Sequence, residues 1–179
     1  SFSALSRYAS NASQSLPSLN HFALSHFVSL ERISKLAGTR NLNAEDSLTG
    51  WSVIEDNDFE KHGKITIEKG VISLNSGKPA TGIRYAGEDF PRMNYEVSFE
   101  ARRTAGRDFF CGITFPVNEN YCSMIIGGWG GGVVGLSNID NMAAVENEST
   151  GFLDVEDDRW YRIRLRVTEE SIQAWIDGK

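Results

Sequence analysis

Residues 108–137 read DFFCGITFPVNENYCSMIIGGWGGGVVGLS, and this stretch decides the fold class. Two apolar runs rich in β-forming residues flank a short polar turn. If the turn centres near residues 118–119, six side chains lie on one face, because successive side chains of a strand point to opposite faces. The expected cross-strand pairs are Cys111 with Ile126, Ile113 with Met124, and Phe115 with Cys122. The stretch therefore predicts an antiparallel hairpin with one apolar face, in a domain built from sheets.

Three glycines after the hairpin, Gly130, Gly132 and Gly135, match the G-x-G-x-x-G pattern of dinucleotide-binding proteins. That motif requires a helix directly after it, whose N-terminus holds a pyrophosphate. Here the β-branched, glycine-interrupted segment 133–137 follows, so we expect no nucleotide site. The glycines instead indicate a bulge, a bend or a close approach of backbone or ligand. The position of Trp129 among these glycines predicts either an exposed ring that stacks on a sugar or a ring that is buried in the core. Burial is slightly favoured.

Charge is divided unevenly along the 179 residues. Residues 1–40 contain four basic side chains and one acidic side chain, whereas residues 41–179 contain 14 basic and 23 acidic ones. An acidic domain argues against a nucleic-acid partner, which would need a basic surface. No apolar run approaches the roughly 20 residues of a membrane-spanning helix, so we expect no membrane partner.

The sequence divides into a serine-rich N-terminal extension or linker at 1–41 and a domain at 42–179. Apolar spacing between a possible cap at Asn20 and a stop at Gly38 predicts a short helix at about 21–37. At the other end, Asp177-Gly178 follows an alternating run and predicts a two-residue hairpin turn. No returning strand follows, so we expect an incomplete domain with an unpaired edge on its last strand.

Short segments of alternating polarity recur after residue 50. Tyr95–Arg102 and Trp160–Val167 alternate apolar with charged side chains, and further strand candidates lie at 64–68, 71–74, 81–85 and 171–176. Short, regular strands joined by turn signals, without a long amphipathic helix, are typical of an all-β, antiparallel two-sheet sandwich or jelly roll.

Several segments together resemble a known family. They are TGWSVIEDNDFEKHGKITIEKG, PATGIRYAGEDFPRMNYEVSFEARR, DFFCGITFPV, GGWGGGVVGLS and RWYRIRLRV with AWIDGK. They are similar to the 3-keto-disaccharide hydrolase domain family, formerly a domain of unknown function, and especially to a branch common in planctomycete-type bacteria. The resemblance covers about residues 42–179. It implies a concanavalin A-like (lectin/glucanase) jelly roll, a carbohydrate partner, and hydrolysis of glycosides or 3-keto-disaccharides. We also expect a periplasmic or extracellular location.

The segment 96–100 resembles the E-x-D-x-E strand of laminarinase-type retaining glucanases, whose outer glutamates are nucleophile and acid/base. The resemblance implies Glu96 and Glu100 as catalytic candidates, although Ser98 replaces the central aspartate. Residues four apart lie roughly 13 Å apart along a strand, whereas a retaining pair needs about 5–5.5 Å between carboxyls. The favoured alternative is a solvated face on which both glutamates balance arginines across the sheet.

Three arginines, Arg162, Arg164 and Arg166, share one face of a predicted strand. Such a ladder suits a ligand carboxylate, a sulfated sugar or the acids of a neighbouring strand. Three like charges on one face repel each other unless acids lie nearby. We therefore favour structural pairing, either with Glu96 and Glu100 or with the acidic cluster 156–158.

Metal ligands are sparse in the domain. His62 is its only histidine, since His21 and His26 precede it, so we expect no histidine-rich metal centre. The resemblance implies that some relatives use a metal ion and a histidine for elimination from keto sugars. The acidic runs 55–58 and 156–158 lack EF-hand spacing, which favours solvated turns. We expect no cofactor, with calcium at the rim of the fold as the alternative.

The two cysteines, Cys111 and Cys122, share the predicted apolar face but do not oppose each other directly. A buried thiol in apolar surroundings has a raised pKa and is inaccessible to reagents. The sequence therefore predicts two reduced, inert thiols and no disulfide.

Two classes of function stay open on the sequence: a glycoside-directed hydrolase, and a non-catalytic carbohydrate-binding or adhesion module. A concave site with an acid, an arginine and an aromatic ring would favour an enzyme, and a flat aromatic face would favour binding. We expect a sugar on the polar face of Glu96, Glu100 and Arg102. Arg102 and Trp129 are the predicted substrate-binding residues, with Trp129 at the rim. The alternative ligand site is the loop 140–149.

Overall fold

The structure, a computed structural model, describes residues 47–87 and 90–179, together with the backbone of three short strands nearer the N-terminus. The regular elements of this part of the chain are β-strands and one turn of 3₁₀ helix at Asn57–Phe59. The strands are β1 (Phe2–Leu5), β2 (Ala23–Ser25), β3 (Ser29–Leu30), β4 (Trp51–Val53), β5 (Ile65–Glu68), β6 (Val71–Leu74), β7 (Gly82–Tyr85), β8 (Tyr95–Arg102), β9 (Cys111–Val117), β10 (Asn120–Gly128), β11 (Val133–Ser137), β12 (Gly151–Phe152), β13 (Trp160–Val167) and β14 (Ser171–Ile176).

These strands form three antiparallel sheets. The first sheet has the order β1-β14-β13-β8, the second β12-β11-β10-β9-β2-β7-β4, and the third β3-β6-β5. One apolar core joins them, because it contains Phe99 of the first sheet, Ile113 of the second and Ile72 of the third. The fold is the predicted all-β jelly-roll sandwich.

The alternation of the sequence decides which face of the first sheet is buried. Along β8, the residues Tyr95, Val97, Phe99 and Ala101 are buried, whereas their neighbours are only partly buried. Strand β13 repeats this pattern beside it. The Tyr95 hydroxyl crosses the core and donates a hydrogen bond to the Pro116 carbonyl oxygen at 2.6 Å, which joins the first sheet to the second. The polar side chains of β8 and β13 are therefore held on the outer face.

The hairpin predicted from residues 108–137 is confirmed, including its register. Strands β9 and β10 pair Cys111 with Ile126, Ile113 with Met124, and Phe115 with Cys122. Asn118, in the two-residue turn, has a φ of 51°, a left-handed conformation that asparagine tolerates better than most residues.

The glycines after the hairpin form a bulge and a turn. Gly127 has a φ of 70° where the β10–β11 register shifts, and an added Cβ would lie 3.1 Å from the Phe110 Cβ. Strand β11 follows, so the glycine pattern lacks the helix that a dinucleotide site requires, as expected. The expectation that Trp129 is a buried plug is wrong, since it is 41% exposed, with a φ of 48°.

The N-terminal segment contributes strands to all three sheets. Strand β1 pairs with β14, β2 lies between β7 and β9, and β3 pairs with β6. The helix predicted at 21–37 is therefore wrong for the residues of β2 and β3, because pairing with distant strands outweighs a local apolar spacing. The rest of that prediction lies outside the described residues.

The Asp177-Gly178 turn forms as predicted. Asp177 and Gly178 have φ values of 51° and 78°, and the Ile176 and Lys179 backbones exchange two hydrogen bonds. The expected unpaired edge of the last strand is wrong, however. Strand β1 pairs with β14 on the side opposite β13, a contact between segments too distant in sequence for local patterns to indicate.

Candidate functional site

Three neighbouring strands, β8, β13 and β14, present a grid of polar and aromatic side chains on the outer face of the first sheet. The register of the strands fixes the rows of this grid. The first three rows are Glu96–Arg166–Gln173, Ser98–Arg164–Trp175 and Glu100–Arg162–Asp177, the last being placed by the contact of Arg162 with Asp177. A fourth row begins with Arg102 and Trp160. We call this surface the charged face.

In the first row, Glu96 is held firmly by Arg166. The Nε and Nη2 atoms of Arg166 both lie 2.8 Å from Oε2 of Glu96. The Glu96 side chain is only 16% exposed. A charge-assisted contact with two N–H groups is among the stronger hydrogen bonds in proteins, so this carboxylate has a fixed position.

In the third row, Glu100 is held more loosely. Its Oε1 lies 3.6 Å from Nε of Arg162, a side chain that is 76% exposed. Asp177 is engaged from two directions, because its Oδ1 accepts the Arg162 backbone N–H at 2.9 Å and its Oδ2 lies 2.7 Å from Arg159. Glu100 is therefore the acid of the face that can most readily change its contacts. The sequence prediction that Glu96 and Glu100 pair with the arginine ladder is confirmed.

The middle row carries a cation that has no ion-pair partner among the described residues. The guanidinium carbon of Arg164 lies 3.9 Å from the centroid of the Trp175 ring, a close cation–π contact. No described carboxylate forms an ion pair with Arg164. Arg166 also approaches the same ring, at 5.8 Å. The aromatic ring thus orients Arg164 and leaves its N–H donors available to a ligand.

A cavity of about 1240 Å³ opens over the charged face. Lys69, in the turn between β5 and β6, reaches its rim from the third sheet. Charged and aromatic groups therefore converge on one space. The residues that line it are Lys69, Glu96, Ser98, Phe99, Glu100, Trp160, Arg162, Arg164, Trp175, Asp177 and Gly178.

Arg102, a predicted substrate-binding residue, lies on the charged face but outside the lining of the cavity. Its guanidinium carbon is 5.0 Å from the centroid of the Trp160 ring. Its Nε is buried and has no hydrogen-bond partner among the residues that the structure describes. Arg102 thus packs against a ring that lines the cavity, and this geometry suits a supporting residue better than a direct ligand contact.

Trp129, the other predicted substrate-binding residue, lies away from this cavity. It belongs to the turn between β10 and β11 of the second sheet, where its ring packs 5.0 Å from that of Phe109. The aromatic residues that do line the cavity are Trp160 and Trp175, which sequence reasoning did not select. The sequence does contain a signal for these two residues. Each tryptophan alternates with apolar residues along its strand and therefore lies on the polar face of that strand.

The alternative ligand site, the loop 140–149, is filled by its own contacts. The Asn147 amide nitrogen donates to the carbonyl oxygens of Leu136 at 2.7 Å and of Ala143 at 2.9 Å. The Ser149 hydroxyl donates to Oδ1 of Asn147 at 2.6 Å, and Ala144 is fully buried. These bonds pack the buried part of the loop, whereas Asp140, Asn141 and Glu148 stay exposed.

A metal site of the kind implied for some relatives does not fit the described residues. Among them, no three or more histidine, cysteine, aspartate and glutamate side chains are arranged so that they could hold a metal ion. His62 lies 3.9 Å from Glu55, and Asp56 lies 3.9 Å from Arg84. In the other acidic run, Asp157 contacts the buried Arg103 at 2.5 Å. Both runs thus supply counterions for basic side chains.

The two cysteines are fully or almost fully buried and unpaired, as predicted. Burial raises the pKa of Cys122 to about 12, and it raises the pKa of Cys111 further. The Cys122 thiol donates to the Ser137 carbonyl oxygen at 3.1 Å. These thiols belong to the core and take no part in the charged face.

Comparison with known proteins gives one match. Residues 38–179 match the family model described as the 3-keto-alpha-glucoside-1,2-lyase-like domain. No curated protein and no solved structure matches the chain. Among the described residues, no helix is both long enough and apolar enough to cross a membrane.

Proposed function

Since the chain belongs to the 3-keto-alpha-glucoside-1,2-lyase-like domain family, we propose that it binds glycosides in the cavity over β8, β13 and β14 and cleaves the glycosidic bond of 3-keto-disaccharides there. The family match covers most of the chain and supports a carbohydrate-related jelly roll. A periplasmic or extracellular location stays a prediction.

One observation carries the proposal: an acid, an arginine and two aromatic rings converge on a single cavity. Trp160 and Trp175 offer flat apolar surfaces for the C–H faces of a sugar ring. Arg164 and Glu100 offer a donor and an acceptor for its oxygens. Pockets with a few convergent polar groups among aromatic side chains are the usual form of a small-ligand site.

Elimination fits this geometry better than two-carboxylate hydrolysis. Glu96 and Glu100 are four residues apart on β8, roughly 13 Å along a strand, whereas hydrolases need about 5–9.5 Å between their two carboxyls. A 3-keto sugar needs only one base, because the ketone makes the proton on the adjacent carbon acidic. We assign that base to Glu100, whose contact with Arg162 is long and exposed.

In this elimination, the Glu100 carboxylate removes the proton from C2, and the electron pair moves toward the C3 oxygen. Arg162 loses its counterion when Glu100 takes up this proton, and it donates hydrogen bonds to the negative charge that develops on that oxygen. The charge then returns to form a double bond between C1 and C2 while the C1–O bond breaks. The departing oxygen takes a proton from solvent, and Glu100 releases the proton that it took from C2 to solvent. Glu96 takes no part in the proton transfer. It holds Arg166 in place on the charged face through their hydrogen bonds.

A non-catalytic carbohydrate-binding module is the second candidate. The observation that favours it is that both glutamates of the charged face already have arginine partners. A site used only for binding would need the rings and the donors of the cavity but no available base. The two candidates therefore differ in the role of Glu100.

The test measures binding and turnover of 3-keto and ordinary disaccharides for the parent protein and for Glu100→Gln, Glu96→Gln and Trp175→Ala. For an enzyme we expect Glu100→Gln to lose about 10²-fold or more of the turnover while it retains binding. Trp175→Ala should weaken binding. Glu119→Gln, in the exposed β9–β10 turn, and Trp129→Ala, in the second sheet, are the matched controls and should behave like the parent.

Binding without turnover in the parent would select the non-catalytic module. Unchanged binding and turnover in Glu100→Gln and Trp175→Ala together would show that the charged face is the wrong surface. Loss of activity in Trp129→Ala alone would move the site to the second sheet.

A further inference from the structure

Each carboxylate that lines the cavity has an arginine near it, although Glu100 is held loosely. Glu96 contacts Arg166, Glu100 lies near Arg162, and Asp177 contacts Arg159. The first two pairs are neutral as units, whereas Arg159 is shared between Asp177 and Glu156, the latter at 3.8 Å. The electrostatic character of the cavity is therefore decided by the lining charges that remain.

Two cations remain, Arg164 and Lys69. Both line the cavity, and neither has an ion-pair partner among the described residues. Because Glu156 also pairs with Arg159, these two cations leave one net positive charge around the cavity, in a region, residues 41–179, that contains 23 acidic and only 14 basic side chains. An acidic domain with one cavity that retains unpaired cations has a local preference for anions.

The two cations differ in how they are held. Arg164 is partly buried, and the ring of Trp175 lies 3.9 Å from its guanidinium carbon, so that the planar fork is oriented before a ligand arrives. Lys69 is exposed in the β5–β6 turn and can approach from the rim. An oriented guanidinium matches the two oxygens of a carboxylate, whereas a lysine ammonium acts as a point charge.

We propose that the cavity recognises a sugar that carries a carboxylate, a uronic acid residue. Arg164 binds the carboxylate with its planar fork, Lys69 adds attraction at the rim, and Trp175 lies beside the sugar ring. This inference rests on the proposed function, because it concerns the same cavity, and it names the class of glycoside that the cavity takes.

The experiment uses three α-1,4-linked disaccharides that differ only at C6 of the terminal ring: glucose, glucuronate and glucose 6-sulfate. Binding to the whole chain is measured by calorimetry at low and at high salt. We expect the glucuronate to bind about tenfold or more tightly than the neutral sugar, because a charge-assisted bidentate contact is stronger than a neutral one. The preference should shrink at high salt, where the charge of the exposed Lys69 is screened.

Four variants test which cation causes the preference for glucuronate. Arg164→Gln should remove most of it, and Arg164→Lys should reduce it, because lysine keeps the charge but loses the planar fork. Lys69→Gln should weaken glucuronate binding with little effect on the neutral sugar. Lys61→Gln removes an exposed charge outside the cavity and should change nothing. Circular dichroism and the melting temperature check that each variant is folded.

Each possible result tests a different part of the proposal. Equal affinity for the neutral sugar and the glucuronate overturns the inference while the proposed sugar site stands. A preference that survives in folded Arg164→Gln or Arg164→Lys at the parent level also overturns it. A 6-sulfate that binds as tightly as the glucuronate overturns the choice of a carboxylate. If none of the three sugars binds, the inference is overturned, and the 3-keto-disaccharides of the earlier test decide the proposed function separately.

Discussion

The two glutamates of the charged face should differ in how strongly they are coupled to their arginines, and a pair of double-mutant cycles measures this difference. Glu96 is 16% exposed, and two nitrogens of Arg166 lie 2.8 Å from one of its oxygens. Exposed ion pairs contribute about 0.2–1 kcal/mol, and breaking a fully buried pair costs about 3–5 kcal/mol. Arg166 is itself 38% exposed. We therefore expect a coupling energy of about 1–2 kcal/mol for Glu96 and Arg166.

The pair Glu100–Arg162 serves as the internal control. Its atoms are 3.6 Å apart, and Arg162 is 76% exposed, so the coupling energy should stay below about 0.5 kcal/mol. Urea unfolding of the parent, the four single Gln variants and the two double variants gives both values. In high salt, the smaller coupling should vanish and most of the larger one should remain.

Equal couplings for the two pairs, or a Glu96 coupling near zero, would contradict this reasoning. Such a result would also remove the argument that Glu100 is the available carboxylate, because that argument depends on the difference between the pairs. The cycle therefore tests the assignment of the base independently of any substrate.

Two further predictions concern the core and the glycine turn. The thiols of Cys111 and Cys122 should react with a thiol reagent only after unfolding. Burial raises the pKa of Cys122 from its ordinary value to about 12, and it raises the pKa of Cys111 well above its ordinary range. The unfolded chain therefore loses these protons first, and the free energy of unfolding should fall between about pH 9 and pH 12, by at most ~1.4 kcal/mol per pH unit for each thiol. Cys122→Ala should have a shallower slope, and an unchanged slope would contradict the assignment. In the β10–β11 turn, Gly131→Ala should cost at least about 2 kcal/mol, because its φ is 100° and the new Cβ would lie 2.2 Å from the Arg107 carbonyl oxygen. Gly130→Ala, with a φ of 93° and open space around it, should cost about 1 kcal/mol in the same urea assay, and the reverse order would refute the steric argument.

The parts of the fold that sequence reasoning predicted are those in which burial alternates along one strand. The pairing of Ile113 with Met124 follows from the two-residue alternation of side chains along each strand and from the short turn between the strands. Both signals lie within residues 108–137. The opposition of Glu96 and Arg166 followed from charge balance between two such strands. Strand β2, by contrast, lies between β7 and β9, and its three residues carry no local sign of those distant partners.

The candidate site was predicted in part for a similar reason. Alternation places Glu96, Glu100 and Arg102 on the outer face, as found. Trp129 was selected because it lies among glycines, but a left-handed turn on the second sheet directs it elsewhere. Trp160 and Trp175 fall on the polar phase of their own strands, but the pairing that brings these strands next to β8 is a property that no single segment contains.

The pairing of β1 with β14 has a consequence for the timing of folding during synthesis. Phe2 pairs with Ala174, so roughly 170 residues must be added after the first strand is made before its partner exists. At about 5–20 residues per second, the wait is on the order of 10–30 seconds. Throughout that interval the first sheet of the ribosome-bound chain stays incomplete. Strand β1 can pair only when β14 has left the exit tunnel.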